Sequence, residues 1–204
     1  MLLLNNMPTS SHPDILEIIK KGGSFASYAI ARRSFDIGAL IATVRIPKLT
    51  LSESAYSTLQ VGYRPGHHIE FDDDFLYIDH SCDPTLEYHI SNPSLHQSDE
   101  VESATGHEIV IEIRVAYRRD AHGNAIGLST GEKLTFFYPS TEWDMKQPFE
   151  CLCGTSRCLG YVQGARYVPE SLVFGSEYFF NDHILHAKRQ QTSESGETKE
   201  KVNI

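Results

Sequence analysis

The stretch Cys151-Leu-Cys153-Gly-Thr-Ser-Arg-Cys158 packs three of the chain's four cysteines into eight residues, and the fourth, Cys82, stands far upstream. Thiolates are soft ligands, and a structural zinc ion takes four ligands in a tetrahedron. A Cys-x-Cys-x4-Cys run can turn back on itself to offer three sulfurs to one ion, and Cys82 is the one cysteine left to complete the set. The opening Met1-Leu-Leu-Leu-Asn5 is too short for a secretory apolar core and has no small-residue cleavage site behind it, so a cytoplasmic or nuclear address is expected. Disulfides are not expected in such a reducing compartment. The competing reading is a set of buried, reduced thiols without metal.

Around this cluster the composition is that of an ordinary globular protein. The chain has 204 residues, 40% of them hydrophobic and 22% charged, which suits one domain with a small appendage and excludes a disordered chain. No apolar run approaches the ~18 residues that span a bilayer, so no membrane segment is expected. The formal net charge is −9, and between Pro65 and Ile113 there are twelve acids without a single Lys or Arg. Such a stretch repels phosphate backbones and argues against direct nucleic-acid binding. It favours a cationic partner such as a lysine-rich peptide, or it is simply a solvated acidic face.

The pattern of short apolar runs broken by Gly, Pro, Asp and Asn predicts a mainly β chain. Strands are expected at Ser24–Ala31, Ala39–Ile46, Leu59–Arg64, Phe75–Ile78, Thr85–Ile90, His107–Arg118 and Leu134–Tyr138. Ala121-His-Gly-Asn124 reads as a turn that folds the sixth of these back onto Ile126–Ser129. His12–Gly22, with Pro13 in its first turn, acids early, lysines late and glycine after, predicts a short helix. Asn181–Gln191 predicts a terminal helix, and the polar Thr192–Ile204 a disordered tail.

Several segments resemble the SET-domain protein-lysine methyltransferases. Asp79-His-Ser-Cys-Asp-Pro84 is similar to the family's Asn-His-Ser-Cys-x-Pro, and Gly131-Glu-Lys-Leu-Thr-Phe-Phe-Tyr138 to its Gly-Glu-Glu-Leu-Thr-x-Asp-Tyr strand. Cys151–Gly160 matches the post-SET Cys-x-Cys-x4-Cys-x-Gly, and Ala31–Ile41 the Ala-x-Arg-x-Phe-x-x-Gly-x-x-Ile segment. The resemblance runs in order from about Phe25 to Gly160 and looks most like the small single-domain SET proteins of filamentous fungi. It implies a β-clip-like fold of several short sheets with a threaded C-terminal segment and a small zinc-bound post-SET motif. The expected layout is an N-terminal extension over 1–22, a SET domain over 23–140, a post-SET segment over 141–165 and a C-terminal helix and tail over 166–204.

The resemblance further implies S-adenosylmethionine as methyl donor, a lysine-containing protein or peptide as partner, and a monomer. Cys82, Cys151, Cys153 and Cys158 would be the ligands of a structural zinc. Tyr138 falls on the family's catalytic tyrosine and Phe136 on the position that governs how many methyl groups are added. Asp79 and His80 stand at the cofactor-contacting pair, and Leu152 is placed to pack against the adenine.

The chain also departs from the pattern. Aligned without gaps, the family's Gly-x-Gly falls on Ala26-Ser27-Tyr28, with Gly22-Gly23 a few residues earlier. Leu76 stands where many members carry arginine, Phe137 replaces an aspartate, and Asp79 brings a negative charge beside the methionine end of the cofactor. Loss of two hydrogen bonds there would weaken cofactor binding by ~1–3 kcal/mol. Three readings therefore stand: a SET-type methyltransferase acting on a protein lysine; a SET pocket repurposed as a cyclase or pericyclase on a small apolar metabolite; and a non-catalytic module that binds basic peptides.

Overall fold

The computed structural model describes residues 10–23, 26–46, 51–64, 66–91 and 108–201. The chain forms β1 (Leu16–Ile19), β2 (Tyr28–Ala31), β3 (Leu40–Ile46), β4 (Thr58–Gln60) and β5 (His68–Glu70). Then come β6 (Asp79–His80), β7 (Leu86–Ser91), β8 (Ile109–Val115), β9 (Arg118–Arg119), β10 (Ala125–Ile126), β11 (Thr135–Phe136), β12 (Phe149–Glu150) and β13 (Tyr161–Val162). Two helices close it, α1 (Glu170–Val173) and α2 (Asp182–Lys201). The architecture is mainly β, as the sequence pattern predicts, in one five-stranded sheet and four two-stranded ones.

The five-stranded sheet has the order β3-β8-β7-β11-β6. β8 sits antiparallel between β3 and β7, and its alternation is clean: Ile109, Ile111, Ile113 and Val115 are fully buried while Val110, Glu112 and Arg114 are not. β11 pairs in parallel with both β6 and β7, through Thr135–Asp79, Phe136–His80 and Phe136–Leu86. These residues lie on three separate segments of the chain, and the sheet makes them neighbours. Asn181, buried at the start of α2, accepts a hydrogen bond from the Ile90 amide at 2.8 Å and donates to the carbonyls of Tyr88 and Ser140 at 2.8 and 2.9 Å. It ties the C-terminal helix to both β7 and the segment after β11.

Three expectations are corrected. His12–Gly22 is not a helix: the Ile15 and Leu16 amides donate to the His12 carbonyl, one turn forms, and the chain then enters β1. There Leu16 faces Ala31 and Ile19 faces Tyr28, so β-branched Ile18 and Ile19 find ladder partners that an isolated helix lacks. Phe75–Ile78 is not a strand. Asp74–Tyr77 forms a 3-10 turn, because the Asp73 carboxylate accepts the Phe75 amide at 3.0 Å. The expected disordered tail is helical as far as Lys201, with Thr192 and Ser193 hydroxyls donating back to the Lys188 and Gln190 carbonyls. Ser24, Phe25, His107 and the tail residues 202–204 lie outside the described residues. Among the described residues no helix is long and apolar enough to cross a membrane.

Candidate functional site

At the end of β11 a cage of rings forms. Phe136 stacks on the buried Tyr88 with centroids 4.1 Å apart, and Tyr138 lies 4.7 Å from Phe136 and 5.2 Å from His80. Phe149, at the start of β12, completes it at 6.0 Å from Tyr138 and 5.7 Å from His80. The Tyr138 hydroxyl donates to the Ile78 carbonyl at 3.0 Å, which leaves its oxygen as an acceptor. Burial, with the charges of Asp79 and Glu142, pushes its pKa up, so the phenol stays protonated.

His80 joins this cage to the cysteines. Its Nδ1 accepts the Tyr138 amide at 3.2 Å, so Nε2 carries the proton and faces the Cys82 sulfur at 3.3 Å. Burial lowers the imidazole to about 4 and keeps it neutral. Both ring nitrogens are thus engaged inside the protein.

β12 and β13 make a hairpin whose loop, 151–160, carries the three clustered cysteines, closed by the Cys151 amide donating to the Gly160 carbonyl at 2.7 Å. None of the four cysteines is in a disulfide. Their sulfurs lie within 4.8 Å of one another, Cys82 and Cys151 at 3.9 Å, and the Leu159 amide donates to Cys82 sulfur at 3.3 Å. A tetrahedral zinc with ~2.3 Å bonds needs sulfur–sulfur separations of about 3.8 Å, so the donor set fits such an ion. Burial raises the Cys82 thiol and takes Cys151 up to about 11. For Cys153 burial also pushes up, but hydrogen bonds from Thr155 and its neighbours win and bring it to about 6. Four close sulfurs cannot all ionise without a cation among them.

A second constellation lies at the other side of Asp79. Lys133 pairs with Asp79 at 2.5 Å and stands 5.2 Å from the centroid of the Tyr28 ring, whose other cation is Lys21 at 5.0 Å. Segment 132–134 is laid against β2 by the Ala31 amide to the Glu132 carbonyl and the Leu134 amide to the Ala29 carbonyl. The negative charge expected at Asp79 thus has a cation of the protein itself as its partner. Gly23 turns here with φ 118, and a Cβ on it would meet Ala26 at 3.7 Å. Leu152 is 91% exposed, since its two cysteine neighbours turn inward and leave it outside; an apolar side chain so placed is open to a ligand ring.

This chain is 36% identical over 194 residues to methyltransferase flvH of Aspergillus flavus, a match covering 93% of this chain and 91% of that protein. The chain belongs to the flvH family. No family model matches it. In this flvH relative the sequence-predicted residues fall into two groups that meet at β6. Phe136, Tyr138, His80 and the four cysteines come together, Tyr28 and Asp79 meet through Lys133, and Leu152 points into solvent beside the cysteines. Tyr88, Phe149 and Lys133 were not legible as site residues. Lys133 alone left a signal, as a lysine where the resembling motif has glutamate.

Proposed function

We propose that the protein is a SET-type methyltransferase that moves methyl groups from S-adenosylmethionine to the ε-amine of a lysine in a protein. The observation that carries the reading is the ring cage of Phe136, Tyr138, Tyr88 and Phe149 backed directly, through His80, by the four-sulfur cluster. A relative named as a methyltransferase over nearly the whole chain supports methyl transfer. Zinc is the ion proposed for the cysteines, in a structural role that holds the 149–162 hairpin against β6 and β11.

S-adenosylmethionine, when bound, supplies an electrophilic methyl group. The residues of the chain do the rest by position. Desolvation in a narrow apolar channel disfavours a charged ammonium and so favours the neutral amine that can attack. The protonated Tyr138, its hydrogen committed to Ile78, offers its oxygen as an acceptor to the amine's N–H groups. Leu152 would cover the adenine ring. The acidic 65–113 segment favours the encounter with a cationic peptide.

The test is incubation of zinc-loaded protein with isotopically labelled S-adenosylmethionine and lysine-rich peptides, read by mass spectrometry. Methylated lysine is expected. Cofactor binding without peptide product would refute the protein-lysine assignment, and absence of cofactor binding would refute methyl transfer altogether.

A further inference from the structure

Tyr28 carries an ammonium group on either hand, Lys21 at 5.0 Å and Lys133 at 5.2 Å from the ring centroid. One carboxylate, Asp79, accompanies them. Two cations against one anion leave positive charge in excess, on a chain whose formal net charge is −9. The Lys133 side chain is still 50% exposed and that of Asp79 35%, so neither is sealed by the pairing. An ammonium has three donors and Asp79 takes one; a carboxylate has two oxygens and Lys133 takes one. The remaining donors and acceptors suit a ligand group that carries both charges at once. The ring of Tyr28 supports either lysine by cation–π attraction. Asp79 immediately precedes His80, whose ring touches the Tyr138 cage, and its charge acts on the Tyr138 hydroxyl, so the pair adjoins the proposed site.

We infer that Lys133, with Lys21, Asp79 and Tyr28, recognises a zwitterionic α-amino-acid group, its carboxylate on Lys133 and its ammonium on Asp79. The inference rests on the proposed methyl transfer, in which that group is the methionine end of the cofactor. It assigns to Lys133 the anion recognition that Leu76, 38% exposed and apolar, has no charge to provide. The departures at Tyr28 and Asp79 then form one rearranged subsite with Lys133, instead of separate losses.

Calorimetry on the zinc-loaded full chain with S-adenosylhomocysteine and 5′-methylthioadenosine, which lacks the amino-acid group, tests it. The wild type should bind the former more tightly by roughly tenfold or more. Lys133→Met should erase that gap by weakening S-adenosylhomocysteine alone, and Lys133→Arg should keep most of it. Lys133 is exposed, so both variants should retain zinc and melting temperature. Equal affinity of the wild type for the two nucleosides overturns the inference while leaving methyl transfer standing. So does a Lys133→Met variant that binds S-adenosylhomocysteine as the wild type does, or one that loses both ligands equally. A wild type that binds neither nucleoside overturns methyl transfer, and the amino-acid site falls with it.

Discussion

The described residues form two apolar clusters, and they are built by different means. The larger gathers Ile41, Leu86, Tyr88, Ile109, Ile111, Ile113 and Phe136 around the five-stranded sheet, with long strands and aliphatic side chains in register. The smaller gathers Phe137, Val162, Val168, Val173, Tyr178, Phe180 and Ile184 with Cys82 and Cys151, from two-residue strands, short turns and both helices. Its order comes from particular contacts: Phe137 stacked on Tyr178 at 4.2 Å, Arg157 pairing with Asp83 over the Tyr178 ring, and the sulfur cluster itself. The first cluster is held by area, at ~1.5–3 kcal/mol for each fully buried aliphatic side chain. The second has only short ladders, and the proposed zinc would tie its segments together. The candidate site is the seam between them, since Phe136 belongs to one cluster and Phe137, its neighbour, to the other.

The largest effect expected is therefore confined to one side. Cys82→Ala, or chelation, should remove the metal and the amide-exchange protection of 149–180 while β7 and β8 stay protected. Uniform loss, or none, would erase the distinction between the clusters. The converse change, Ile111→Ala, should cost ~2–5 kcal/mol by chemical denaturation, yet the folded fraction should keep its full zinc content. Loss of zinc in that variant would show that the two clusters do not stand apart.

At the seam, Tyr138→Phe should abolish most methyl transfer while zinc is retained, at a stability cost of about 1 kcal/mol for the hydrogen bond to Ile78. A variant of full activity contradicts the role given to the hydroxyl. Phe136→Tyr adds an oxygen to a ring already stacked on Tyr88 and should move product from di- or trimethyl-lysine toward monomethyl-lysine. Product masses decide the point, and monomethyl product alone from the wild type would contradict the reading of Phe136.

The smallest effect lies at the far edge of the larger cluster. Burial pushes the Asp74 carboxyl up, but the Ser10 hydroxyl, the His12 amide and Ser11 together bring it below its ordinary value. A carboxyl lowered by folding stabilises the fold above its unfolded pKa and ceases to do so as pH falls through the lowered one. Proteolysis near Ser10–His12 should therefore be unchanged from pH 7 to 5 and rise below about pH 4. Asp74→Asn should show no such acid step, and an acid step that persisted in it would place the titrating group elsewhere.

What could be read in advance follows the same division. β8 was legible because alternation over seven residues is a local signal, and β3 and β7 because runs rich in β-forming residues are bounded by turn residues. So was the hairpin turn of β9 and β10, where Asp120 accepts the amides of His122 and Asn124. β1 was misread because apolar spacing and terminal charges over four residues suit a helix equally well, and only its ladder to β2 decides between them. Tyr88 gave no sign of a site role, since an aromatic on an inward strand position is ordinary core until something stacks on it.

By itself the sequence determined which groups were available: four thiols and no more, a tyrosine and a phenylalanine two residues apart, a histidine two residues before Cys82. These are covalent facts, and soft-ligand chemistry and strand periodicity act on them directly. Tertiary structure alone decided which of them share a proton or a charge. The tautomer of His80 depends on the Tyr138 amide, brought to its Nδ1 by parallel pairing of β6 with β11, which leaves Nε2 to face the nearby Cys82 sulfur. The ion pair of Asp79 with Lys133 forms because the segment leading into β11, clamped to β2 by backbone hydrogen bonds, lies beside β6. Hydrogen bonds and ion pairs act over a few ångströms, and residues more than fifty apart in sequence come within that range only when the sheet has formed.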